Sequence, residues 1–263
     1  MNKAIIMLLA GLTAGSSAVC TAAGPRLGTP PVLRAYAGID DDRNAAFDDA
    51  YASFDLRSLS EWPTGFTVIE SLPIALAAER FQAYGMGAFV DDQFGTQFLL
   101  GPGGRLASLD TGSGALTALS DRLQPADQPW LWCYQTMATP CWSSLSWDAT
   151  TRTLFAIAID PWTAPYSSRI YTIDPVAGDA RPVGEPLPGT IVRPMAIDPH
   201  GRMVGYDELS GRLLEIDKRS GAYQVIGELD LAPSILPGGL LPGADLGFSA
   251  DGTLWLVATK WDT

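Results

Sequence analysis

Three stretches of the chain repeat one design. Gly104–Asp110 leads into Thr111–Gly114, Ser168–Asp174 into Pro175–Gly178, and Gly211–Asp217 into Lys218–Gly221. Each reads as a strand with alternating apolar positions, an Asp at its end, a turn closing on Gly, and a second strand. The second strands fall at residues 115–119, 180–184 and 222–227. The residue choice has a physical cause. A carboxylate at a strand end accepts hydrogen bonds from the amides of the following turn, and Gly supplies the positive φ that reverses the chain. A weaker fourth copy is Ala52–Leu56 followed by Gly65–Ile69.

Another hairpin lies upstream of each strong copy. Met195–Asp198 turns through Pro199-His200-Gly201 into Arg202–Gly205, and Ser144–Asp148 turns through Thr150 into Thr153–Ile157. Gly87–Val90 turns through Asp92 and Gly95 into Gln97–Leu100, and the C-terminal Leu246–Val257 carries an Asp251-Gly252 turn. Each unit is therefore four strands, here called A to D. The marker residues Asp55, Asp110, Asp174 and Asp217 are spaced by 43 to 64 residues. Four-stranded units at this period predict an all-β chain folded as a small β-propeller. About four blades are expected, at 86–119, 143–184, 194–227 and 244–263 joined with 48–70. In the last, N-terminal strands complete the C-terminal blade and close the ring, which removes its open edges. The alternative is a five-bladed ring or an incomplete propeller, with a divergent blade in 120–142 or 230–243. These repeats resemble the broad superfamily of bacterial secreted propellers built on strand–Asp-Pro-x-x-Gly–strand units, which includes NHL-type, lactonase-like and quinoprotein-like members. The resemblance covers residues 48–263 and implies a fold, not an activity.

The N-terminus points to export. Lys3 precedes an apolar run, Ala4–Leu12, and then small residues, so residues 1–23 read as a signal peptide cleaved after Ala22 or Ala23. A lipoprotein signal on Cys20 is the rival, and Val19 immediately before the cysteine fits it poorly. No later run reaches 18 apolar residues, so no transmembrane segment is expected. Residues 24–47 read as a linker and 48–263 as the propeller domain. A secreted or periplasmic setting would pair Cys133 with Cys141 in a disulfide. The closed loop is short, which makes the bond worth about 2–3 kcal/mol in the chain-entropy model. Two buried free thiols are the alternative. A formal charge of -12 with three lysines excludes a nucleic-acid-binding surface, since phosphate contacts need clustered Lys and Arg.

In a propeller the B–C loops and the D-to-next-A connections share the face around the channel mouth. Here the A–B and C–D turns are tight, and the long connections, 71–85, 120–142, 158–168 and 230–243, all fall in the other class. Loops elaborated on one face of a rigid scaffold are where function usually sits. Two of them should be neighbours and carry Trp130, Trp132, Tyr134, Trp142, Trp162 and Tyr166, pinned by the Cys133–Cys141 bridge. Rigid aromatics with polar tips suit a glycan, peptide or envelope-protein ligand. Their other use is to fill a small core under the loops.

Catalytic chemistry is thinly represented. The single histidine, His200, falls in a tight turn on the opposite face, so no Ser–His–Asp arrangement is expected. No cofactor is called for. A calcium site at Asp40, Asp42 and Asn44 has the alternate spacing, yet the twelfth position is Tyr51 and no Gly holds the sixth, so an acidic solvated linker is the plainer reading. The enzyme alternative is a metal-dependent, lactonase-like hydrolase with Asp207, Glu208 and Asp245 at the channel mouth.

Overall fold

A computed structural model describes residues 4–10, 34–39, 50–55, 68–72, 86–90, 95–100, 104–110, 113, 115–121, 123–125, 141–160, 165–229, 244–248 and 252–261. They are strands and turns. Strand β1 is Ala4–Ala10, and β2 (Arg34–Ile39), β3 (Ala50–Asp55) and β4 (Val68–Leu72) form one three-stranded sheet in that order. A four-stranded sheet follows: β5 (Met86–Phe89), β6 (Thr96–Leu100), β7 (Leu106–Asp110) and β8 (Leu116–Ser120). The short β9 (Gln124–Pro125) joins the outer edge of the next sheet, β10 (Cys141–Asp148), β11 (Thr153–Asp160), β12 (Ser167–Asp174) and β13 (Asp179–Pro188). Then come β14 (Val192–Ile197), β15 (Met203–Asp207), β16 (Arg212–Ile216) and β17 (Tyr223–Glu228), and finally the hairpin β18 (Ala244–Phe248) and β19 (Leu254–Trp261). Pairing within these sheets is antiparallel throughout, apart from β9 on β13.

The strand β11 shows why the sheets stack. Leu154, Ala156 and Ala158 enter one apolar cluster, and Phe155, Ile157 and Ile159 enter another. Successive side chains of a strand point to opposite faces, so this sheet is apolar on both. On one side, Leu100 and Leu106 of the preceding sheet meet Leu154, Tyr171 and Ile173. On the other, Ile157 and Ile170 meet Val192, Met203, Leu214 and Ile216 of the following sheet. The pattern then repeats: Val204, Tyr206 and Leu213 turn the other way and pack on Leu246 and Leu256 of the last hairpin. The first strands β5, β10, β14 and β18 lie against one another in chain order. Four-stranded sheets stacked face to face through their first strands are the blades of a β-propeller.

The expected turn chemistry is present. Asp174 Oδ1 accepts from the amides of Val176 and Ala177, Asp217 Oδ1 from that of Arg219, Asp110 Oδ1 from that of Ser113, and Asp198 Oδ1 from those of His200 and Arg202.

The N-terminal strands are arranged differently from the sequence expectation. β3 and β4 pair with β2, a strand inside the segment read as linker, and not with the C-terminal hairpin. The free side of β19 is taken instead by β1, from Ala4↔Trp261 to Ala10↔Trp255. Among the described residues, the strands of 48–70 and of 244–263 therefore belong to separate sheets and do not form the expected joint blade. β3 lies between β2 and β4 and has no edge left for β19.

Adjacent blades are also stapled at the tight-turn end. Asp148 is the last residue of strand A of one blade, and its buried carboxylate accepts from Lys218 Nζ of the next blade, from the Thr150 amide and hydroxyl, and from the Thr151 hydroxyl. Gly201 makes room for this contact, because a Cβ there would lie 2.6 Å from Lys218 Nζ and from Thr150 Oγ1, and its φ of +84° already favours glycine. Burial raises the Asp148 pKa, but the hydrogen bonds from Lys218, Thr150 and Thr151 together outweigh it and bring the value down from 3.8 to about 2. A depressed folded-state pKa contributes stability that is present above pH 4 and is lost as pH falls through 2. Asp148→Asn is therefore expected to cost about 1–2 kcal/mol at pH 7 and to flatten the loss of stability between pH 4 and 2. Denaturant unfolding of both proteins at pH 7 and pH 3 checks this, and equal pH dependence in the two would refute it.

Candidate functional site

The mouth end of the blades is organised by buried hydroxyls and one aspartate. β14 carries Pro194, which has no amide to donate, and the strand bulges between Val192 and Met195. The backbone groups freed there are met by serines of the preceding blade. Ser168 Oγ accepts from the Val192 amide at 2.7 Å and donates to the Thr190 carbonyl at 3.1 Å. Ser144 Oγ accepts from the Met195 amide at 2.9 Å, while Ser143 Oγ shares its proton between the carbonyls of Val192 and Ile157. Buried backbone groups without partners cost about 1–3 kcal/mol each, so these serines decide where β14 sits.

Asp207, at the end of β15, is 3% exposed. Its Oδ1 accepts from the amides of Ile191 at 2.8 Å and Leu209 at 3.2 Å, and its Oδ2 from the Ser210 hydroxyl at 2.5 Å. It thus ties the B–C turn of its blade to the connection that enters the blade. Both oxygens are engaged in shaping the loop, which is not the arrangement expected of a metal ligand or a free general base. Glu208 is also buried, and its Oε2 lies 3.8 Å from Nε of Arg193, whose side chain is a quarter exposed. Burial, with the charges of Glu208 and Asp207 added, pushes the Tyr206 hydroxyl up to about 12, so it stays protonated in any physiological medium. The side chain of Asp245 lies outside the described residues. Among those described, no group of three or more His, Cys, Asp and Glu is placed to hold a metal ion. Asp40, Asp42 and Asn44 are outside them too.

The aromatic set divides. Trp142 is 3% exposed and belongs to the core: its ring meets Tyr171 edge-on, centroids 5.2 Å apart and planes at 72°. It fills the seam between two blades and is withdrawn from the loop face. Tyr166 is 37% exposed, at the end of the B–C connection, and its carbonyl accepts from the Gly189 amide at 2.7 Å. Trp130, Trp132, Tyr134, Trp162 and Cys133 lie outside the described residues, as does the side chain of Cys141. The strands reach further into these connections than the sequence suggested, since β11 runs to Asp160 and β12 starts at Ser167. His200 is exposed in its turn at the opposite end of the blade.

Sequence reasoning missed the serine seam and β9. Ser143, Ser144 and Ser168 stand at strand positions where serine is unremarkable, and their partners are 14 to 51 residues away. β9 pairs in parallel with β13 through Gln124↔Asp179 and Pro125↔Ala180, so the 120–142 connection is anchored to the outer edge of the blade it precedes.

No protein-family model matches the chain, and no curated protein matches it. Solved structures with a similar sheet arrangement include a protein of unknown function from Bacteroides thetaiotaomicron, 14% identical over 80% of this chain and 54% of its own, with a TM-score of 0.45. Virginiamycin B lyase from Staphylococcus aureus is 10% identical over 81% and 57%, with a TM-score of 0.43. An auxiliary nutrient binding protein from Bacteroides thetaiotaomicron is 10% identical over 66% and 35%, with a TM-score of 0.41. The chain spans about half the length of the first two and about a third of the last.

Two substitutions separate scaffold from surface. Trp142→Ala is expected to lower stability by about 3–5 kcal/mol, as for a large buried aromatic, and Asp207→Ala by about 2–3 kcal/mol through orphaned amides. Thermal and denaturant unfolding checks both, and a cost under about 1 kcal/mol for either would remove its structural role. At the level of fold, then, the described residues form four-stranded antiparallel sheets stacked in the manner of β-propeller blades.

Proposed function

We propose that the protein is an exported binding module, acting in the periplasm or outside the cell, whose ligand rests on the face that carries the long connections. The observation that carries this reading is the asymmetry of the blade ends. The turns at one end are short and held by their own aspartates, while the mouth end is a floor of serine and Asp207 hydrogen bonds, and the longest connections in the sequence, 120–142, 158–168 and 230–243, all belong to the B–C and D-to-A class. Exposed Tyr166 sits on this floor, and Trp130, Trp132, Tyr134 and Trp162 fall in connections that leave it. Aromatic side chains carry much of the affinity in glycan, peptide and protein recognition, because they bury large areas at low entropy cost. Cleavage of a leader at Ala22 or Ala23 would remove β1 and leave β19 with a free side.

The hydrolase alternative loses support, since Asp207 is committed to the loop and Glu208 is buried beside Arg193. The two readings separate by experiment. Glycans, peptides and envelope proteins would be screened against the mature protein by tryptophan fluorescence. Trp132→Ala or Trp162→Ala is expected to weaken binding about 30-fold or more while leaving the melting temperature unchanged, in line with loss of a central aromatic anchor. Normal binding in both variants would end the aromatic-face reading. A melting temperature several degrees higher in calcium than in EDTA would favour a metal site instead.

A further inference from the structure

Between the outer strands of two blades the seam opens into a cleft of about 400 Å³. Glu185, Pro186, Leu187 and Pro188 of β13 form one wall, and Ser220 and Tyr223 of the next blade the other. Its floor is backbone on backbone. A Cβ on Gly184, whose φ is +61°, would lie 1.8 Å from the Ser220 carbonyl oxygen, and one on Gly221 2.9 Å from that of Val183. No side chain can occupy this floor, so the blades meet there at glycine and the cleft is fixed by the fold. Arg169 holds the lip, donating from Nη2 to the Gly184 carbonyl at 3.0 Å.

The lining is chemically one-sided. Tyr223 is opposite Ile216 in the β16–β17 ladder, so its ring shares the face turned towards the preceding blade, yet it is 41% exposed. Facing it are two prolines and the exposed carboxylate of Glu185. No cation lies within ion-pairing distance of Glu185 among the described residues, and Arg169, the basic side chain at the lip, is turned to the Gly184 carbonyl. An exposed tyrosine face with an unmatched carboxylate beside it favours a cation: the ring attracts it through its quadrupole, and the carboxylate pairs with it. Prolines 186 and 188 would cover the aliphatic stem of such a side chain, as apolar surface does for lysine and arginine elsewhere. The charge of -12 repels anionic partners and steers basic ones towards any such site.

We infer that this inter-blade cleft binds an arginine or lysine side chain of a basic peptide segment, clamped between Tyr223 and Glu185. Arginine should bind more tightly than lysine, because a planar guanidinium stacks on the ring and pairs bidentately with the carboxylate. The test titrates the protein with tetra-arginine, tetra-lysine and tetra-glutamate peptides, and with a neutral oligosaccharide, by isothermal calorimetry. The expected order is arginine, then lysine, with no binding of glutamate or sugar. Tyr223→Ala and Glu185→Gln should each weaken arginine binding about tenfold with unchanged melting temperatures. General attraction to an acidic surface would not respond to Tyr223→Ala, so unchanged affinity in that variant overturns the assignment. Preference for the sugar, or no binding of tetra-arginine, overturns it as well. The Tyr223 and Glu185 variants leave every aromatic residue proposed for the loop face unchanged, so the two readings are tested separately.

Discussion

Everything in this fold depends on sheets that are apolar on both faces. A strand such as β11, with Leu154, Ala156 and Ala158 to one side and Phe155, Ile157 and Ile159 to the other, cannot belong to a sheet with one wet face. It needs a neighbour on each side, and each neighbour needs another in turn. Stacking is therefore an obligation of the sequence, and the first strands must converge for it to be met. The stack is made specific by polar contacts at its two ends. Asp148 and Lys218 fix the pitch at the tight-turn end, while Ser143, Ser144 and Ser168 fix it at the mouth. Hydrophobic faces alone would tolerate sliding, whereas a buried hydroxyl facing a particular amide does not.

The parts of the molecule legible in sequence are those whose chemistry is local. An Asp at a strand end and a Gly three or four residues later define a turn within one short window, and the hairpins at Asp110, Asp174, Asp198 and Asp217 all formed where the pattern put them. What stayed hidden depends on partners far along the chain. Trp142 reads as one more aromatic in a loop rich in them, and only the position of Tyr171, 29 residues on, makes it core. Arg34–Ile39 has the composition of a linker, with two Ala and a Gly, and becomes a strand because β3 offers it an edge. Asp207 has the spacing of a turn aspartate as well as the position of a mouth carboxylate. Its reach to the Ile191 amide decides between the two, and that contact follows from how the entering connection is threaded.

The outer strands show how open edges are managed. β13 carries Pro182, Pro186 and Pro188, which remove donors, and β9 covers its start. β17 has neither device, but it bulges opposite Leu213 and Leu214, which interrupts the ladder that another strand would need to extend. The same irregularities shape the perimeter. The break in β13 at Gly184 lets the blades touch through their backbones, and the space beyond it is the cleft.

The acidity of the chain is largely a consequence of this architecture. Among the described residues, the turns at Asp110, Asp148, Asp174, Asp198 and Asp217 are each built on a carboxylate, because an ionised oxygen accepts turn amides better than a neutral group does. The turns also hold their aspartates ionised: the amides of Ala177 and Val176 lower the pKa of Asp174, and the amide of Arg219 followed by the Ser220 hydroxyl lowers that of Asp217. A chain that repeats the turn in every blade accumulates negative charge as it accumulates strands. The 17 basic residues, most of them arginine, fall short of the 29 acids, which leaves the formal charge of -12. The net field is thus fixed by the way the blades fold before any ligand is considered. Such a field attracts positively charged molecules and repels anionic ones at long range.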